Sequence, residues 1–166
     1  YELHDQFADP GLINAEHNFG IVRFDGSPKP AYTRLQNLLT YVADPTGEKV
    51  FDKPASWIGD IAVANGTVGD GSVRSLRLAR SDGSVDLVIW RNVQIWDPKN
   101  RTPLPASSGM VDVILPKGSR PKLYQVATGG TAQDLAPRVA EGMGTSQIFA
   151  VDVDADAVVI RISPPD

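Results

Sequence analysis

What constrains this chain most is a succession of short, Val- and Ile-rich runs between residues 57 and 162, each bounded by Gly, Pro or Asp. Ile58, Ile61 and Val63 predict a strand that stops at Asn65-Gly66. Leu76 and Leu78 alternate with Arg77 and Ala79, residues 81–84 turn the chain, and Val85, Leu87 and Ile89 follow. Two alternating runs around a turn containing Asp-Gly predict a β-hairpin. Val88 and Trp90 make its second strand apolar on both faces, so that strand should be central and covered on each side. Further strands are expected at 93–96, 110–115, 122–127, 148–153 and 157–162. Strands at such spacing predict a mainly β fold, an antiparallel β-sandwich or barrel. The 13 prolines and 15 glycines fit a turn-rich β protein better than a helical one. Leu135, Val139 and Met143 have helical spacing, but Pro137 and flanking glycines make residues 129–144 read as a loop.

The first 44 residues read differently. A short strand at the start gives way to a polar loop over 5–18, broken most sharply at Asp9-Pro10-Gly11. An apolar extended run over 19–24 then meets a turn at Asp25-Gly26, and Pro28 and Pro30 lead into a helix. Proline is harmless in the first helical turn, where its missing N–H would be unpaired anyway. Ser27 is the expected cap. Tyr32, Leu35, Leu38, Leu39 and Val42 recur at helical spacing and predict one apolar face. Asp44-Pro45-Thr46-Gly47 stops the helix near Ala43. No earlier part of the chain can cover that face, so the helix needs a partner: the sandwich, a second copy or another chain. The expected organisation is 1–44 as strand, loop and helix, 45–55 as linker, and 56–166 as sandwich.

The early segment also brings a resemblance. Tyr1, Glu2, Leu3, Asp5, Glu16, Phe19, Gly20, residues 25–29 (Asp-Gly-Ser-Pro-Lys) and residues 30–32 (Pro-Ala-Tyr) resemble the closing segment of the (β/α)8 barrel in retaining glycoside hydrolases of the clan that includes cellulases and xylosidases. The resemblance covers about the first forty residues and implies the last barrel strand, its long βα loop and the final helix. Such enzymes often continue into a β-sandwich, and the runs at 78–90, 111–116 and 157–162 are similar to its strands. The resemblance also implies that the catalytic glutamates lie upstream of Tyr1, so none is expected here. A retaining mechanism needs two carboxyls about 5 Å apart, and this chain by itself should hydrolyse nothing.

The remaining chemistry is sparse. A net charge of −4 with no basic stripe argues against nucleic acid. No run of eighteen apolar residues predicts a membrane span. The absence of cysteine removes disulfides, thiol catalysis and cysteine-ligated metal. Only His4 and His17 are available as imidazole ligands, without a third at a familiar spacing, so no metal and no cofactor is expected. Asp152, Asp154 and Asp156 imitate the start of a calcium loop. Ala157 stands where its glycine belongs and Ser163 where its glutamate belongs, so a hairpin turn is the better reading. There is no nucleophile elbow and no phosphate loop. His4 and Asp5 lie where the rim of a sugar site would be in an intact barrel, and they are candidate carbohydrate contacts. Trp57, Trp96 and Tyr124 are the other candidates, as a platform for sugar rings, while Trp90 should pack inside.

The expected function is therefore ancillary. The chain would be the non-catalytic C-terminal portion of a glycoside hydrolase, a sandwich that buttresses a barrel and helps shape a carbohydrate cleft. Its partner would be the rest of a (β/α)8 barrel, or another chain, through the helix 30–42. A stand-alone carbohydrate-binding module and a protein-interaction domain are the alternatives. Enzymes of the resembled type are commonly secreted, which is the location the resemblance implies.

Overall fold

The structure is a computed structural model, and it describes residues 3–8, 11, 17, 20–44, 56–64, 67–105, 107–137 and 145–164. Tyr1, Glu2, Glu16, Phe19, Asn65, Val139, Met143 and the expected linker lie outside the described residues, as do Glu48 and Glu141. The fold is mainly β and antiparallel, and the described residues form one α-helix, α1 (Pro30–Val42), and ten strands. The longer strands are β1 (Ala62–Ala64), β2 (Val73–Ala79), β3 (Val85–Arg91), β6 (Gly109–Pro116), β7 (Arg120–Gln125), β9 (Ser146–Val153) and β10 (Val158–Ser163). Two-residue strands complete the set: β4 (Trp96–Asp97), β5 (Thr102–Pro103) and β8 (Gln133–Asp134).

The strands form a three-stranded sheet in the order β1-β6-β9 and a five-stranded sheet in the order β2-β3-β10-β7-β8. One core lies between them. Val85, Leu87 and Ile89 of β3 and Val158, Ile160 and Ile162 of β10 meet Val111, Val113 and Leu115 of β6 and Phe149, Val151 and Val153 of β9. Period-two alternation makes this possible, because every second side chain of each strand points between the sheets. The hairpin β2–β3 and the central position of β3 are as the sequence predicts.

The second apolar face of β3 is covered by α1. Leu38, Tyr41 and Val42 of the helix pack over Val88, Val126 and Val159 on the outer side of the five-stranded sheet, with Leu78, Trp90 and Tyr124 around them. The register places Asp86 opposite Arg161 on the same face. Asp86 is wholly buried there, its carboxylate held by Arg80 (2.8 Å) and Arg161 (2.8 Å). The same guanidiniums reach the end of the helix. Arg80 Nη2 donates to Ala43 O at 2.9 Å, and Arg161 Nη2 donates to Tyr41 O. Asn37 adds a bond to Val126 O (2.9 Å), and Arg34 pairs with Asp156. Ser81 closes the joint by donating its N–H to Asp44 (2.7 Å).

Several sequence expectations are corrected. The strand expected from Ile58 begins only at Ala62, after a 3-10 turn at Ser56–Asp60. Trp57, Ile58 and Ile61 all anchor in the main core, and a spacing of one and three suits a turn rather than strand alternation. Residues 93–95 form no strand. Pro98, Pro103 and Pro105 withhold donors, so pairing there is confined to the ribbon β4–β5 and the bond from Leu104 N–H to Ile95 O (2.9 Å) beside it. The turn expected at Asp25-Gly26 is present, and the extended run before it contributes a single bridging residue within its described part. The chain doubles back at 23–27, and Val22 alone bridges, to His4 on one side and Pro28 on the other. Ser27 does not cap α1. Lys29 occupies the cap position without a side-chain bond, and Ser27 Oγ instead accepts from Arg23 (3.2 Å). The turn at Asp154–Asp156 is no hairpin: β9 and β10 belong to different sheets, so it crosses between them.

Candidate functional site

The segment before α1 is closed by one carboxylate. Asp5 is buried, and its Oδ1 accepts the N–H of Gly20 (3.0 Å) and the ammonium of Lys29 (2.8 Å). Backbone bonds align the three extended pieces of this segment, with Asp5 N–H donating to Val22 O (2.9 Å), Ile21 N–H to Leu3 O (3.0 Å) and Lys29 N–H to Ile21 O (3.0 Å). The approach needs glycine: a Cβ on Gly20 would lie 2.5 Å from Asp5 N. A buried carboxylate must be paired and hydrogen-bonded to be tolerated, and here it is both. Three residues that the sequence motif spreads over 5 to 29 thus meet at one point. Asp5, a candidate sugar contact from sequence, has its carboxylate directed onto Lys29 and Gly20. His4 stays exposed, its Nδ1–H donating to Asp5 O at 2.9 Å. Of this pair, His4 is the one open to a ligand.

Beside this latch the helix shows a second apolar stripe. Residues 34, 37, 38, 41 and 42 face the sandwich, while Tyr32, Leu35 and Leu39 face away. The single apolar face read from sequence is therefore split between two neighbours. Leu35 is 44% and Leu39 58% exposed, and Leu3 beyond them is 66% exposed. Together with Ile21 and Tyr32 they line an open apolar groove of about 500 Å³. Leu3, Leu35 and Leu39 thus leave apolar surface in contact with solvent on the side of α1 away from the sandwich.

The aromatic candidates do not share a surface. Trp57 is half-buried against the core between the sheets. Tyr124 is half-buried on the other side of the five-stranded sheet, its ring 5.0 Å from that of Tyr41 under α1 and with Arg161 over its face at 5.2 Å. Trp96 is 39% exposed on the ribbon, next to an exposed Ile95. A flat sugar platform built from all three is thus not formed, because two of them are committed to packing. Trp90, expected inside, is half-buried in the patch beneath the helix.

No group of three His, Cys, Asp or Glu among the described residues is arranged to hold a metal ion. Two aspartates of the 152–156 run are engaged otherwise: Asp154 accepts the N–H of Asp156 (2.7 Å), and Asp156 pairs with Arg34. Among the described residues no helix is long and apolar enough to cross a membrane. Sequence reading missed the Arg80–Asp86–Arg161 cluster. Its signal was an aspartate on the Val88 and Trp90 face of an otherwise apolar strand, a place where a lone charge is untenable without a partner.

No protein-family model matches the chain, and no curated protein sequence matches it significantly.

Proposed function

We propose that the chain is the non-catalytic C-terminal portion of a retaining glycoside hydrolase, with its sandwich buttressing the last helix of a (β/α)8 barrel. The observation that carries this reading is the convergence of Asp5, Gly20 and Lys29 next to an uncovered apolar stripe on α1. These are motif residues of the resembled barrel end. A helix with two apolar sides is also what a barrel helix needs when a second domain packs behind it. In this reading Tyr32, Leu35, Leu39, Leu3 and Ile21 face the remainder of the barrel. The exposed His4 lies at the carboxyl end of the last barrel strand, where such enzymes contact substrate.

The experiment is intact mass and sequence of the native protein, followed by assay on aryl glycosides. The reading requires a longer polypeptide with upstream catalytic glutamates that is active as a whole, while residues 1–166 alone are inactive. A native protein without a barrel and without glycosidase activity overturns it. A stand-alone carbohydrate-binding module is the lesser reading, because Trp96 is the one aromatic of the three left open. Glycan binding by the isolated chain that is lost in Trp96→Ala would favour it.

A further inference from the structure

The two ends of α1 are held by different parts of the chain. At the C-terminal end, Arg161 and Arg80 donate to Tyr41 O and Ala43 O, and both are fixed by the buried Asp86. Asp82 also acts electrostatically on both guanidiniums, and the two cations point at the last carbonyls of the helix, an arrangement that the negative end of a helix dipole favours. The helix has no basic residue of its own in the last turn, so the sandwich supplies the charge from outside. At the N-terminal end, Lys29 precedes the first helical residue and grips Asp5 Oδ1, the same oxygen that takes the N–H of Gly20. A helix of 13 residues is about 20 Å long, so the two sites do not touch.

We infer that α1 is a strut through which the Arg80–Asp86–Arg161 cluster sets the position of the segment that Asp5 closes onto Gly20. A helix pinned at its last carbonyls cannot slide or turn without carrying Lys29, and Lys29 carries the latch. Where the glycosidase reading holds, that segment lies on the substrate side of a barrel, and the sandwich acts on a cleft it does not touch. That consequence rests on the proposed function; the coupling itself does not.

Amide exchange by NMR on the full chain tests the strut, with Leu87 and Ile160 in the sandwich core as references. Arg161→Lys keeps one charge but loses the guanidinium fork that spans Asp86 and Tyr41 O. Relative to the reference amides, exchange should rise about tenfold at residues 39–42 and also at Asp5 and Gly20. Lys29→Met should raise Asp5 and Gly20, and adding Arg161→Lys to it should raise them no further. A faster last turn with Asp5 and Gly20 unchanged would overturn the inference, as would strictly additive effects in the double variant. If Arg161→Lys loosens the references too, the cycle is read in denaturation free energies for Lys29→Met and Asp86→Asn. Non-additivity there supports the strut, and additivity ends it.

Discussion

Asp86 is the residue on which most depends. It is fully buried between two guanidiniums, and removing its charge leaves both uncompensated against the helix. Asp86→Asn should lower the stability of the chain by about 3–5 kcal/mol, read from urea denaturation. A loss below about 1 kcal/mol would mean that water reaches the site and screens it. Gly20 is the second sensitive position, for steric rather than electrostatic reasons. Gly20→Ala places a Cβ 2.5 Å from Asp5 N and should destabilise by about 1–3 kcal/mol as an overpacking change. Asp70 sets part of the pH response. The hydrogen bonds from Ser72, with Arg91 adding, hold its carboxyl down at about 2. Asp25, Asp82 and Asp97 are lowered too, by Ser27, Ser84 and Asn100 respectively. A folded value below the unfolded one means stability that is present above about pH 4 and lost as pH falls toward about 2. Asp70→Asn should flatten that part of the acid-unfolding curve, and an unchanged slope would refute the assignment.

At the scale of elements, α1 divides its apolar residues between two surfaces. Leu38 packs on the sandwich, whereas Leu39 next to it faces the groove. Leu38→Ala should cost about 2 kcal/mol, but Leu39→Ser should change stability by no more than about 0.5 kcal/mol. Equal effects in urea denaturation would mean that the helix is docked otherwise than described. The close fit also reaches a loop: a Cβ on Gly129, which has φ +71, would lie 3.3 Å from Asn37 Nδ2. Arg91 does a similar task at the far end of β3. It bonds Ser72 (2.9 Å), Asp70 (2.7 Å) and Ser107 Oγ (3.1 Å), tying two loops to one strand end.

For the whole molecule, helix and sandwich should unfold together. The contacts of α1 with β3, β7 and β10 include buried charge as well as apolar area. Far-ultraviolet signal from the helix and tryptophan fluorescence from the sandwich should therefore show coincident transitions. Two separated transitions would mean that α1 is only an appendage on a self-sufficient sandwich.

The sequence by itself determined the sheet class, the hairpin β2–β3, the central place of β3 and the span of α1. These follow from periodicity and from proline and glycine punctuation, which are local properties of a run of residues. Tertiary structure alone decided which side of α1 meets the sandwich, because Leu38 and Leu39 are equally apolar and only the facing surface distinguishes them. It also turned Asp5 from a rim carboxylate into the centre of a latch, and Asp86 from an oddity in an apolar strand into a shared counter-ion. Trp57 and Tyr124 were unreadable for the same reason, since an aromatic side chain gives no local sign of whether it will be covered. Each of those outcomes depends on residues far away in sequence, and burial makes the energy of a charge depend on such partners.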